Sequence, residues 1–226
     1  MSAVQTGQPD GPSQATTVAA ALRLQLLHTP RLIVAGSAVH ALERKDAALL
    51  TMLAVEGSVP RAKAAALLWP DADDERARNN LRQRIFRLRR LAARDLVCAG
   101  SSLSLAAAVE HDLDALGPRL SDDPDAAAGE LLGEIDYGDC AELHDWVQVA
   151  REQWRTARRN ALAEIAAELE AQGRIAPALA YAQRLAADDP TLEHAHRRVM
   201  RLHYLRGDRA AALAAYERCR DALRRS

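Results

Sequence analysis

Hydrophobic and polar positions change period along this chain, and each change marks an element. Leu22, Leu24 and Leu26 alternate with Arg23 and Gln25, the two-residue period of a half-buried strand, until Pro30 breaks the run. Arg31–Val34 and Ala38–Leu42 flank a turn at Gly36-Ser37, which predicts short antiparallel strands. From Glu43 to Val55 the period becomes helical, with Ala47, Leu50, Leu53 and Ala54 inward and Gly57 as the C-cap. Ser58 is expected to cap a second helix, with Pro60 in its first turn, running from Arg61 to Trp69 and stopped by Pro70. Ala77, Leu81, Ile85 and Leu88 then recur at helical spacing and predict a third helix over 76–94. Asp95–Cys98 and Leu103–Leu105, around Gly100-Ser101-Ser102, predict a hairpin. Strands, two helices about a tight turn, a third helix and a hairpin make a helix-turn-helix with a wing.

The third helix carries the chemistry. Arg76 to Arg94 holds eight arginines in nineteen residues and no Asp or Glu. The acids Asp71, Asp73, Asp74 and Glu75 precede it, where unpaired N–H groups and the positive dipole end favour them. A solvated surface helix usually mixes signs to gain pairs four residues apart. A one-sign face beside an apolar stripe suits a major groove instead, with cations for phosphates and Arg, Asn and Gln for base edges.

The second half reads as all helix. Asp112–Leu120 predicts a short helix and Leu143–Gln172 one or two longer ones with Trp146 and Trp154 in the core. The segment 173–185 aligns with 207–219 at six of thirteen positions, including Gly173 with Gly207 and Leu179 with Leu213. The offset of 34 residues is the tetratricopeptide period, whose stacked helix pairs form protein-binding surfaces. The predicted fold class is therefore mainly α with small β: a winged helix-turn-helix domain, then an all-α tetratricopeptide-like repeat domain. The expected boundaries are a disordered tail at 1–20, rich in Gly, Pro, Ser, Thr and Gln, a DNA-binding domain at 21–110 and a repeat domain at 111–226.

Charge sharpens this division. The chain has 226 residues and a formal net charge of −1, yet residues 22–110 balance to +5 and residues 111–226 to −5. A basic half joined to an acidic half suggests that one part meets a polyanion and the other does not. Cys98, Cys140 and Cys219 are odd in number and far apart, which excludes a disulfide framework or a CxxC metal site and fits a reducing cytoplasm. No apolar run approaches a membrane span, no secretory signal is evident, and neither a phosphate-binding loop nor a dinucleotide fingerprint occurs. His194, His196 and His203 read as surface or packing groups rather than metal ligands. Cys140 with His144 lacks the signature of a catalytic pair, and His111-Asp112-Leu113-Asp114 reads as a helix cap. No enzyme activity, metal or cofactor is expected.

Several blocks resemble the SARP-type bacterial regulators, an OmpR/PhoB-like winged helix followed by a bacterial transcriptional activator domain. The segment 22–32 (LRLQLLHTPRL) is similar to their opening strands, and 43–71, ending LLWPD, to their first two helices. ARNNLRQRIFRLRRL at 77–91 resembles their recognition helix, and 95–105 occupies the place of the wing. LHDWVQVAREQW at 143–154 and the block 189–219 resemble the activator domain. The wing tip, Gly100-Ser101-Ser102, departs from the family in carrying no basic residue, and no receiver domain with a phospho-acceptor Asp is expected before the winged helix. The resemblance implies a sequence-specific activator that binds double-stranded DNA, reads direct repeats as a head-to-tail homodimer and contacts RNA polymerase, with no membrane association.

On a helical wheel centred on Leu81, the face away from the stripe holds Arg76, Asn79, Asn80, Gln83, Arg84 and Arg87, joined by Arg90. The family's recognition helix points to Asn79, Arg84 and Arg87 among them. Asn79, Gln83, Arg84 and Arg87 are expected at bases, with Arg76, Asn80, Arg82, Arg89 and Arg90 at phosphates. Arg89 has Asp95 or the wing as an alternative partner. Arg44, Lys45, Arg61 and Lys63 start the first two helices, where backbone N–H groups and side chains commonly hold phosphate. The alternative reading is a tetratricopeptide-type adaptor whose winged fold binds protein, and a third is a sensor whose repeat half binds a small molecule.

Overall fold

The computed structural model describes residues 22–34 and 38–225; the tail expected at 1–20 and the turn expected at Gly36-Ser37 lie outside the described residues. Strands β1 (Leu22–Gln25), β2 (Arg31–Val34) and β3 (Ala38–Ala41) form an antiparallel meander. The alternating leucines explain its one-sided burial: Leu22 and Leu24 are buried, while Arg23 between them is exposed. Helix α1 (Arg44–Glu56) follows, ended by Gly57, whose N–H donates to the Leu53 carbonyl. With Ala47, Leu49, Leu50, Met52 and Leu53 all buried, α1 is the centre of the winged half rather than a surface helix.

Residues 58–60 correct the expected second-helix cap. Ser58 makes no cap; Ser58–Pro60 is instead a short strand, β4, and α2 (Arg61–Leu68) begins directly after Pro60. Helix α3 (Asp74–Ala92) is capped by Asp73, whose carboxylate accepts from the Arg76 N–H, and ends on Ala93 in the left-handed region. Ala77, Leu81, Leu88 and Ala92 are its buried stripe, with Ile85 half-buried beside them. Strands β5 (Val97–Ala99) and β6 (Ser102–Leu105) form the hairpin, and β4 pairs with β6, giving a three-stranded wing in the order β4-β6-β5.

The chain then returns to the first sheet. Strand β7 (Val109–His111) pairs parallel with β1, so the four-stranded sheet has the order β3-β2-β1-β7. The division expected at 110/111 thus falls inside a strand of the winged half. The single helix expected over 112–120 is two pieces, a 3-10 turn at Asp112–Leu116 and α4 (Pro118–Asp122), broken at Gly117. Nor does Asp112 act as a helix cap. It is buried and accepts the N–H groups of Leu26 (2.8 Å) and Leu27 (3.0 Å), pinning the end of β1 to the start of the second half.

Helix α5 (Ala141–Ala171) is one continuous helix, and α6 (Ile175–Asp188), α7 (Glu193–Leu205) and α8 (Arg209–Leu223) pack successively against one another. The 34-residue repeat is visible in the turns. Gly173 (φ 73°) and Gly207 (φ 78°) occupy equivalent left-handed positions. The residue after each donates to a carbonyl five positions back, Arg174 to Leu169 and Asp208 to His203. Tyr181 is buried between α6 and α4, its hydroxyl donating to carbonyls at Leu120 (2.8 Å) and Ser121 (2.7 Å).

Candidate nucleic-acid interface

Helix α3 is held from one side only. Its stripe packs into the winged core, and α2 covers its first half. A second anchor is electrostatic. Glu43 stands at the N-cap position of α1 but makes no side-chain cap bond. Its carboxylate instead accepts from Arg84 (2.5 Å) and from Arg87 (2.8 Å), both on α3. Asp46, in the first turn of α1, is buried and lies 3.4 Å from Arg84 and 3.7 Å from Arg87. The Arg87 and Arg84 hydrogen bonds hold the Glu43 carboxyl down at about 2, whereas burial pushes the Asp46 carboxyl up. Two acids at the positive end of α1 thus clasp two guanidiniums of α3.

This places the expected base-contacting residues in two groups. Arg84 and Arg87 are ion-paired within the fold. Asn79 and Gln83 lie on the outward part of the helix, Gln83 exposed and Asn79 accepting from Arg82 (2.6 Å).

The expected phosphate-contacting residues also divide. Arg61, Arg76, Asn80 and Arg90 make no side-chain hydrogen bond or ion pair among the described residues, and Arg76 and Arg90 are exposed. Arg89 pairs with Asp95 at 3.2 Å on the surface. Lys63 bonds both oxygens of Glu56, at 2.7 and 2.9 Å. Lys45 donates to the Leu68 carbonyl at 2.7 Å and lies over the Trp69 ring, and burial lowers its pKa. Arg44 turns to the second half, bonding Asp139 and, at 3.2 Å, the Asp136 carbonyl. Arg44, Lys45 and Lys63 are therefore structural partners here, each satisfied by a neighbour in the same molecule.

Phe86 is a residue the periodicity does not mark as functional. It is the sole phenylalanine of the chain, lies off the apolar stripe and is 61% exposed. Counting along the helix puts it between Asn79, Arg82 and Gln83 on one side and Arg90 on the other. The helical wheel carries this signal already, as an aromatic ring on the polar side.

The two halves share a hydrogen-bonded junction. Tyr137 donates to the Arg44 carbonyl (2.9 Å), and its ring lies under the Arg44 guanidinium. Trp146 of α5 donates to Glu56 at 2.8 Å. Leu132 N–H bonds the Leu26 carbonyl (2.8 Å), His28 N–H bonds the Glu130 carbonyl (2.9 Å), and Leu27 bridges to Leu131. From α5, Arg151 donates to carbonyls at Leu131 (3.0 Å) and Gly133 (2.8 Å), fixing the connecting loop from the other side. The loop 123–140 is thus tied to both halves.

Among the described residues, no group of three or more His, Cys, Asp or Glu side chains is arranged to hold a metal ion. His196 is buried and bonded to the Pro190 carbonyl at 3.0 Å, a packing contact. No helix among the described residues is long and apolar enough to cross a membrane.

Comparison with known proteins gives the halves unequal support. No curated protein matches the chain. A solved structure of Mycobacterium tuberculosis EmbR in complex with a low-affinity phosphopeptide is similar in fold, with a TM-score of 0.59 at 21% identity. The match covers 90% of this chain and 60% of that one, so this chain spans less than two thirds of its length. Residues 125–226 match the family described as bacterial transcriptional activator domain.

Proposed function

We propose that this chain is a sequence-specific DNA-binding transcriptional regulator, an activator, and not an enzyme. One observation carries the reading. Helix α3, nineteen residues and so about 28 Å long, buries a narrow stripe and presents Arg76, Arg82, Gln83 and Arg90 along an uncovered face. Such a helix fits a major groove, its cations against phosphates and its amides against base edges. The wing hairpin β5–β6 and the open N-terminal part of α2, with Arg61, lie in the elements that flank it.

In this reading Asn79 and Gln83 meet bases directly, and Arg84 and Arg87 do so by exchanging Glu43 for a guanine edge. Otherwise those two arginines brace the helix. Arg61, Arg76, Asn80, Arg82 and Arg90 serve phosphates. The chain divides after β7, which ends at His111, into a reading half and a helical-repeat half. The match of 125–226 to the activator domain supports a role for the repeats in contacting RNA polymerase or a second protomer on a direct repeat. Three unbridged cysteines suit a cytoplasmic setting.

The experiment is selection of duplexes from a randomised pool by the full chain, followed by mobility shifts with Gln83→Ala and Arg90→Ala. Gln83→Ala should relax the selected sequence, and Arg90→Ala should weaken all sequences alike. Failure to enrich any duplex at low salt refutes the reading and leaves the adaptor alternative.

A further inference from the structure

We infer that Phe86 is a specificity residue that reads a thymine 5-methyl group in the major groove. The inference rests on the DNA-binding reading above and adds the base class that α3 prefers. The side chains that surround Phe86 on the helix, Asn79, Arg82, Gln83 and Arg90, are all polar. A phenylalanine left 61% exposed at the middle of that face contributes little burial to the fold. The fold places its other large apolar side chains on α3 inward: Leu81 and Leu88 are buried, and Ile85 and Leu91 pack against the core.

The chemistry of the groove narrows the ligand. Every base edge in the major groove offers hydrogen-bond donors or acceptors, and thymine alone adds an apolar group, its methyl. An apolar ring set among polar side chains therefore matches the one apolar group set among the polar atoms of the groove. The size of the apolar feature argues against a protein partner. No other large hydrophobic side chain of α3 is exposed among the described residues. A lone ring is too small a patch for a protein interface but sufficient for one or two methyl groups. Phe86 also makes no demand on protonation or pairing, so its contribution should be insensitive to salt, unlike that of its neighbours.

The test uses the duplex selected by the full chain, with deoxyuridine replacing each thymidine in turn. Removing one contacted methyl should cost about fourfold in affinity, the equivalent of about 0.8 kcal/mol for one methyl-sized group taken from water. Phe86→Ala should lose about as much on the thymine duplex and nothing further on the uracil duplex, so the two losses are not additive. The assignment is overturned if the wild type ignores every uracil, or if Phe86→Ala pays the full uracil cost. It is also overturned if Phe86→Ala alters sedimentation while the thymine preference stays intact, since the ring then serves a protein contact. A chain that enriches no duplex overturns the DNA-binding reading and this inference together. A chain that enriches one yet ignores uracil overturns only this inference.

Discussion

On the proposed DNA-binding reading, salt dependence separates the cations that meet phosphates from those used by the fold. Arg76 and Arg90 stand exposed without a side-chain partner among the described residues, whereas Lys63 is neutralised by Glu56 at 2.7 Å. Each phosphate contact contributes about 0.9 to the slope of log affinity against log salt on duplex DNA. Between 50 and 200 mM salt, one contact therefore corresponds to about a 3.5-fold change in affinity, and two contacts to about twelvefold. Arg76→Ala and Arg90→Ala should each lower the slope by about 0.9, and the double variant by about 1.8. Lys63→Ala, which removes the same formal charge from a neighbouring helix, should leave the slope where it was. Fluorescence anisotropy of a labelled duplex, titrated with the full chain and each variant at five or six salt concentrations, measures all five slopes, wild type included. The reasoning is refuted if the slopes of Arg76→Ala and Arg90→Ala equal the wild type, or if Lys63→Ala flattens the slope as much as they do.

Three further outcomes concern the frame that holds this helix. Asp112→Ala strands two buried N–H groups, those of Leu26 and Leu27, and should cost about 2–5 kcal/mol in urea unfolding. Asp112→Asn, which keeps one acceptor oxygen, should cost about half as much; equal stability of all three proteins would show that β1 is not pinned there. The Glu43 carboxyl, held at about 2 against an ordinary 4.5, stabilises the fold fully above pH 4.5 and loses that contribution as pH falls toward 2. Melting temperatures of wild type and Glu43→Gln should therefore differ at pH 6 and converge near pH 2, and a constant difference across that range would exclude the Arg84–Glu43–Arg87 clasp. Gly173→Ala and Gly207→Ala meet no neighbour within 4 Å and face only the left-handed backbone, so each should cost about 1–2 kcal/mol, and clearly unequal costs would break the equivalence of the repeats.

Elements that follow from local period were legible in the sequence. The strands β1 to β3, the helices α1 to α3, the hairpin and the paired turns at Gly173 and Gly207 each announce themselves within about a dozen residues. What escaped depends on distant partners. Strand β4 is three residues long and exists because β6 lies beside it; a Ser-Val-Pro run before a helix looks the same as a cap. Strand β7 pairs with β1 across 87 residues, Leu22 with Val109, and three residues carry no period. The site divides in the same manner. The wheel put Arg84 and Arg87 on the polar side of α3 correctly, but Glu43 and Asp46 lie 41 and 38 residues upstream of Arg84, and nothing local links them. Arg44 and Lys63 carried the marks of phosphate-binding helix starts, and Asp139 and Glu56 answer them instead.

The contacts of Arg44, Tyr137 and Trp146 across the middle of the molecule have a mechanical consequence. They convert the helical repeats into an outrigger whose bearing is set by the seat of α3. Duplex DNA turns once in about 10.5 base pairs, so on the proposed DNA-binding reading sliding the site by a single pair swings that outrigger by about 35° around the DNA axis. Phasing of the site against a promoter would then matter as much as its sequence: inserting five pairs would point the arm to the opposite side, and ten would bring it back.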